Sequence, residues 1–154
     1  MRANMIGCIV FAALDAALGP ALNIIEPSAF GTLANSLLPF SEITIFGSAI
    51  ITGWLMGLVT WLVSASLDTI GQIFVVWVLK MAIGFDPFHH CILGTTEVLS
   101  ALFLGQDITF STFTHFLGWT TLGNILGGSV FIALLNYGQS AKAGNPKDVD
   151  VADE

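Results

Sequence analysis

The sequence predicts an all-α membrane protein with four transmembrane segments, the third of which is broken into two half-helices. Only 10% of the residues are charged and 55% are hydrophobic, whereas soluble domains contain about 25% charged residues. Residues 43–67 and 108–141 contain no Asp, Glu, Lys or Arg, and each stretch exceeds the ~20 apolar residues that cross a bilayer as a helix. A further apolar stretch is interrupted by glycine and proline.

Turn-forming and polar residues separate the apolar units. The connector, residues 23–42, contains Pro27 and Pro39 and is predicted to include a short interfacial helix. The transmembrane domain then covers residues 1–141, and residues 142–154 form a polar, acidic tail that we expect to be disordered. The expected helices are residues 4–22, 43–67, 69–85 with 88–104, and 110–137.

Four crossings place both termini on the same side of the membrane. The terminal cations Arg2, Lys142 and Lys147 make that side cytoplasmic, so a multi-pass protein of the cell membrane is predicted. Alternatively, Arg2 and the apolar residues 5–18 resemble a signal peptide, although the internal repeat described below argues against this interpretation.

The composition also excludes classes of partner and cofactor. Four cations in 154 residues form no basic patch for nucleic acid. Cys8 and Cys91 lie within apolar stretches and have neither disulfide-framework nor zinc spacing. We therefore predict no nucleic-acid partner, no metal site and no cofactor.

The second apolar unit carries a face of small residues: Gly53, Gly57, Thr60 and Ser64 fall on one side of a helix. Small residues allow helix backbones to approach closely in lipid. The face is interpreted as a helix-packing surface, and a pore-lining face is the alternative. Similar packing is predicted for Gly123, Gly127 and Gly128 in the last helix.

The third unit is predicted to unwind around Gly84, Asp86 and Pro87, because Pro87 removes a backbone donor and disfavours helix at the preceding residue. We expect the helix to restart near residues 88–90. Unwound backbone at membrane depth is tolerated only inside protein or beside a wet cavity. In transporters, such breaks aim a positive half-helix N-terminus at an anion.

Titratable side chains around this break are the candidate substrate pathway. His90 or His89 would attract a small anion or exchange a proton with it. Glu97 shares a helix face with His90 and is a candidate relay partner, while Lys80 is a candidate pathway residue on the other half. The alternative is an ordinary loop with the histidines at a helix interface.

Two stretches of the chain are similar to each other. Residues 4–14 and 124–134 are identical at six of eleven positions, at a constant offset of 120, beginning with Asn4 and Asn124. Inverted repeats are common in transporters. If Asn124 lies in the last helix of a three-helix unit, Asn4 lies in the last helix of another unit whose first two helices precede Met1. We therefore expect a fragment of a protein about twice as long.

Three stretches, residues 53–61, 84–90 and 121–131, resemble the formate/nitrite transporter family. The resemblance implies an aquaporin-like fold of six helices in two inverted repeats, and a pentamer with one pore in each subunit. This chain would then contain the second repeat and the last helix of the first. The resemblance also implies that His90 is the histidine of the pore, with His89 as the alternative. It further implies that Asn124 corresponds to the asparagine that the family has in its last helix.

The function predicted from these features is transmembrane transport of a small monovalent anion of the formate or nitrite type, with no enzymatic activity. One alternative is an inert or partner-dependent membrane fragment. A haem-binding anchor, with His90 and His115 as axial ligands, is another. The last alternative is an enzyme that uses Cys91 beside His90.

Overall fold

The computed structural model describes residues 2–84 and 88–142, and all regular structure in these residues is helical. Asp86, Pro87 and residues 143–154 of the predicted acidic tail lie outside the described residues. A π-helical turn, Gly127–Phe131, joins the last two helices. The helices are α1 (Arg2–Ala21), α2 (Pro27–Leu37), α3 (Glu42–Ala65), α4 (Thr69–Gly84), α5 (Leu93–Phe103), α6 (Phe110–Leu126) and α7 (Ile132–Lys142).

Three of the described helical stretches are long and apolar enough to cross a bilayer, judged by length and composition: Ala3–Ala21, Glu42–Ala65 and Phe110–Gly138. The last includes α6, the π turn and part of α7. α4 and α5 are apolar but have only 16 and 11 residues, about 24 and 16 Å of helix. The all-helical structure and these apolar spans agree with the predicted all-α membrane protein.

Serine and threonine side chains mark where the long helices begin. Ser41 Oγ accepts a hydrogen bond from the Thr44 N–H at the start of α3, and Thr109 Oγ1 accepts one from the Thr112 N–H at the start of α6. Each hydroxyl satisfies a backbone donor that has no partner within its helix. These caps therefore determine the residues at which α3 and α6 begin.

The contacts along α3 establish how its neighbours run. Ala49 and Gly53 of α3 face Gly123 and Asn124 of α6 in the same order, so the two helices are parallel. Gln72, early in α4, bonds to the Val63 carbonyl late in α3. Lys80, late in α4, bonds to Met56, so α4 is antiparallel to α3.

The contacts of α5 give its direction in the same way. Cys91 lies at Asn124, and Gly94 packs on Phe116, so α5 is antiparallel to α6. α4 and α5 therefore run in the same direction, as two halves of one crossing would. α1 runs parallel to α5, because Cys8 lies at Ile92 and Asp15 lies at Ser100. α1 and α6 consequently run in opposite directions.

The main core cluster lies between α1, α2, α5 and α6. The short helix α2 occupies the predicted connector. Its buried residues recur at helical spacing and pack on α5, so α2 is part of the folded core. The buried residues of the cluster are Ala12, Phe30, Ala34, Leu37, Val98, Leu99, Ala101, Phe113 and Phe116.

Candidate functional site

A short non-helical stretch, residues 88–92, precedes α5. α4 ends at Gly84 and α5 begins only at Leu93, so the helix restarts later than residues 88–90. The reason lies in the hydrogen bonds of this stretch. The N–H groups of His89 and Cys91 donate to side chains of other helices and not to carbonyls of a helical turn. We call residues 88–92 the unwound segment.

His89 is the most enclosed side chain of the unwound segment, with 1% of its surface exposed. Its Nε2 lies 2.9 Å from the Leu37 carbonyl oxygen, and because a carbonyl only accepts, Nε2 carries the ring proton. Its Nδ1 lies 2.9 Å from Ser48 Oγ, and the same hydroxyl oxygen accepts from the His89 N–H at 3.2 Å. Both ring nitrogens are thus occupied by protein.

Aromatic rings enclose the His89 imidazole further. Phe40 meets it edge-on with ring centroids 5.5 Å apart, and Phe116 lies 5.9 Å from it. A histidine held in this way ties the unwound segment to α3 and to the end of α2. Its geometry is that of an anchor.

His90 is half-buried, and its hydrogen bonds to the described part of the chain are made through Nδ1. Its Nδ1 accepts hydrogen bonds from the N–H groups of Ile92 and Leu93, at 3.1 and 3.2 Å. The imidazole therefore caps the start of α5 in the way that Ser or Asn caps other helices. A nitrogen that accepts two N–H bonds carries no proton, so the ring proton of His90 is on Nε2. That N–H is a donor at the positive end of α5.

Asn124 holds the unwound segment from α6. Its Oδ1 accepts from the Cys91 N–H at 3.0 Å. Its Nδ2 donates to the carbonyls of Ala49 and His89, at 2.8 and 2.9 Å. One carboxamide thus satisfies two backbone groups of the unwound segment that have no helical partner, and it also ties that segment to Ala49 of α3.

A cavity of about 280 Å³ lies next to Asn124 and the unwound segment. It is bounded by the start of α1, the unwound segment and the end of α6. Both asparagines of the sequence repeat line it. Its lining residues are Asn4, Met5, Cys91, Ile92, Asn124 and Ile125.

Two of the predicted pathway residues, Lys80 and Glu97, form no hydrogen bond with the unwound segment or with Asn124 in the described part of the chain. Lys80 is exposed on α4, donates to Met56 Sδ at 3.2 Å, and lines a separate, mostly apolar cavity of about 530 Å³ between α3 and α4. Glu97 is half-buried on α5. The structure does not bring Lys80 or Glu97 into the hydrogen-bond network of His89 and Asn124, so their roles stay predictions.

The predicted packing glycines lie between α3 and the helix formed by α6 and the π turn. A Cβ at Gly123 would lie 2.7 Å from the Phe46 carbonyl oxygen, and one at Gly128 would lie 3.2 Å from the Gly53 oxygen. Gly53, Gly57 and Gly127 likewise face the neighbouring helix without room for a side chain. The other two residues of the small face, Thr60 and Ser64, are exposed.

Sequence reasoning missed Ser48 and the Leu37 carbonyl, which bond to His89, and it did not single out Asp15, which contacts Ser100. Ser48 and the Leu37 carbonyl are 41 and 52 residues from His89 in the chain, and no local pattern marks them. Asp15 is a half-buried acid on α1, and Ser100 Oγ lies 3.5 Å from its carboxylate. An intramembrane carboxylate was the available signal for Asp15.

Alternative chemistries have little support in the described part of the chain. No group of three or more His, Cys, Asp or Glu side chains there could hold a metal ion. His115, a candidate haem ligand, has its Nε2 2.9 Å from Glu42 Oε1 at the start of α3 and 3.2 Å from Nε1 of Trp119. Its ring is therefore engaged in a contact between helices.

Comparison with known proteins identifies relatives. The chain is similar to a probable formate transporter of Methanothermobacter thermautotrophicus, 34% identical over 60% of this chain and 34% of that protein. It is also similar to the nitrite transporter NirC of Escherichia coli (strain K12), 24% identical over 93% of this chain and 54% of NirC. The inner membrane protein YfdC of the same strain is 28% identical over 78% of this chain and 38% of YfdC.

The chain spans about a third to a half of the length of these relatives. No solved structure gives a significant match. A family model described as formate/nitrite transporter matches residues 1–138, which is nearly all of the apolar part of the sequence. The chain therefore belongs to the formate/nitrite transporter family.

Proposed function

We propose that this chain forms one half of a pathway for small monovalent anions such as formate or nitrite, and that His90 is the group that meets the anion. Family membership supports anion transport in general. The named relatives include a probable formate transporter and a nitrite transporter, which makes both anions the first substrates to test.

The observation that carries the proposal is the contrast between the two neighbouring histidines. Both ring nitrogens of His89 are occupied by Ser48 and Leu37, and the side chain is enclosed. His90 uses Nδ1 to cap α5 and is half-buried, so its Nε2–H can donate to a ligand. A donor at a helix N-terminus favours an anion.

This geometry favours hydrogen bonding to the anion over proton exchange at the same step. An imidazolium needs a proton on both nitrogens, and Nδ1 of His90 faces two N–H donors. Proton exchange would therefore require the imidazole first to release the start of α5. Asn124 supports the role indirectly by fixing the backbone of the unwound segment.

The proposal also includes a second part of the transporter, the other repeat, which lies outside the sequence of this chain. α1 and α6 carry the repeated sequence and run in opposite directions, as an inverted repeat requires. The short coverage of the relatives agrees with a chain that contains one repeat and the last helix of the other. The complete protein would be a cell-membrane pentamer with both termini cytoplasmic, as the family resemblance and the terminal cations suggest. An inert fragment is the competing interpretation for the chain alone.

The test uses the complete protein, meaning this chain together with its missing half, in proteoliposomes that take up formate or nitrite. His90→Asn keeps a capping oxygen for α5 but lacks the Nε2–H donor. We expect its uptake to be roughly ten- to hundredfold slower, the loss expected for one hydrogen bond to an anion. His90→Phe should be at least as slow.

His115→Asn is the matched control, because His115 contacts Glu42 at the start of α3 and Trp119 within its own helix. Its uptake should match that of the unmodified protein. Equal uptake by His90→Asn, His90→Phe and the unmodified protein would reject the role of His90. Unmodified protein that moves neither anion would reject the substrate class.

A further inference from the structure

Three sulfur-containing side chains lie where the start of α1 meets the unwound segment. Met5 and Cys91 line the same cavity of about 280 Å³. Cys8 Sγ lies 3.5 Å from the carbonyl oxygen of Ile92, which follows Cys91 and also lines that cavity. Met5 and Cys8 are three residues apart on α1 and therefore share a helix face. We call Met5, Cys8 and Cys91 the sulfur cluster.

The sulfur cluster is enclosed by the fold but stays next to open volume. Cys8 is 5% exposed, whereas Met5 and Cys91 are half-buried at the cavity wall. Both cysteines are free thiols, and they are close enough to interact electrostatically. The spacing of the cysteines in the sequence predicts no metal site, because spacing cannot show which distant residues meet. The fold brings together three donors that the anion pathway does not use.

We propose that the sulfur cluster binds a soft monovalent metal cation, of the class of Cu(I), between α1 and the unwound segment. Thiolate and thioether sulfurs are the soft donors that Cu(I) prefers in proteins. Binding releases the proton of a thiol, because the thiolate is the form that ligates a metal. One monovalent cation and one thiolate are together neutral, which suits an apolar surrounding where an unpaired charge is costly.

The composition of the sulfur cluster favours this ion over zinc. Structural zinc takes four ligands in a tetrahedron from Cys, His, Asp and Glu, and no three such side chains come together in the described part of the chain. The asparagines that line the cavity offer only hard donors, and those of Asn124 are already bonded to backbone groups. Met5 therefore supplies the third donor, and its thioether selects a soft ion.

The bound ion connects α1 to the segment that carries His90, because Cys91 follows His90 directly in the chain. A ligand that binds only the folded chain raises the midpoint of thermal unfolding. Metal binding and thermal stability can both be measured without any anion. The sulfur cluster is consequently testable whether or not His90 takes part in transport.

The test adds Ag(I), a redox-stable ion of the same class, to the freshly reduced and desalted chain in detergent. Equilibrium dialysis against a competing chelator gives the Kd, and X-ray absorption spectroscopy counts the sulfur neighbours of the ion. We expect one tightly bound Ag(I) per chain with three sulfur neighbours, and a higher midpoint of thermal unfolding. An excess of Zn(II) should not displace it.

Cys8→Ser, Cys91→Ser and Met5→Leu each remove one donor, and circular dichroism establishes that each variant is helical. Loss of a group that only supports a metal ligand already costs roughly tenfold in metal affinity, so each variant should bind Ag(I) at least that much more weakly. Met5→Leu should retain two sulfur neighbours. Met81→Leu is the matched control, because Met81 is exposed on α4, and its Kd should equal that of the unmodified chain. Equal Kd values in all four variants and the unmodified chain would overturn the site, as would fewer than three sulfur neighbours in the unmodified chain.

Discussion

At the scale of single residues, His89 and Ser48 show how a chain break within an apolar region is stabilised. The Ser48 hydroxyl is bonded to both the backbone N–H and the Nδ1 of His89, while Leu37 receives the Nε2–H. Each of these polar groups would be unsatisfied without its partner. The network therefore holds the unwound segment in place. Because His90 follows His89 directly in the chain, the bonds of His89 also fix the position of His90.

Ser48→Ala tests this anchor. The substitution leaves the buried Nδ1 and N–H of His89 without a partner, which costs about 1–3 kcal/mol. We expect the free energy of unfolding of the purified chain in detergent to fall by that amount, measured by denaturant titration of the helical circular dichroism signal. Ser36→Ala is the control, because Ser36 is exposed on α2 and bonds only to the Leu33 carbonyl; it should change stability by less than about 0.5 kcal/mol. Equal losses would contradict the anchor.

At the scale of helices, close backbone approach determines how α3 meets α6. Gly123 lies against Ala49, the Phe46 carbonyl and the Ile50 N–H, whereas Gly118, five residues earlier in the same helix, has nothing within 4 Å of where a Cβ would be. The two glycines have the same intrinsic preference for helix, and only one is needed for packing. Their difference isolates the packing contribution.

Gly123→Ala should therefore lower the free energy of unfolding by about 1–3 kcal/mol, because the added methyl group forces the two backbones apart. Gly118→Ala should raise it by as much as about 1 kcal/mol, since alanine favours helix over glycine. Thermal unfolding in the same detergent, followed by circular dichroism, gives both values. A stabilised Gly123→Ala chain would show that α3 and α6 are not in backbone contact there.

The helices also show how far sequence reasoning reaches. Uncharged runs of residues predict α3 and the long last span because membrane crossing requires only length and apolarity. The restart of α5 at Leu93 could not be predicted, because it depends on Ser48 and Asn124 taking backbone donors from far along the chain. The same is true of the distinction between His89 and His90, which are equivalent in the sequence pattern and differ only in their tertiary contacts.

At the scale of the whole molecule, the helix directions decide what kind of interruption the unwound segment is. α4 runs against α3, α5 runs against α6, and α3 and α6 are parallel. α4 and α5 consequently point in the same direction, as one interrupted crossing would require. A re-entrant hairpin would reverse the direction at the break and return the chain to the side from which it came.

Asp68, before α4, and Asp107, after α5, distinguish the two arrangements, and both are exposed. Asp68→Cys and Asp107→Cys are placed singly in a chain with Cys8→Ser and Cys91→Ser. The cells' membranes are prepared as right-side-out and inside-out vesicles and labelled with a membrane-impermeant maleimide. One broken crossing puts the two positions on opposite sides, so each should react in only one vesicle preparation. With cytoplasmic termini, the Asp68 position reacts in inside-out vesicles, because it lies on the side of both termini. Reaction of both cysteines from the same side would mean that the chain turns back at the break, and the anion pathway through the unwound segment would then be untenable.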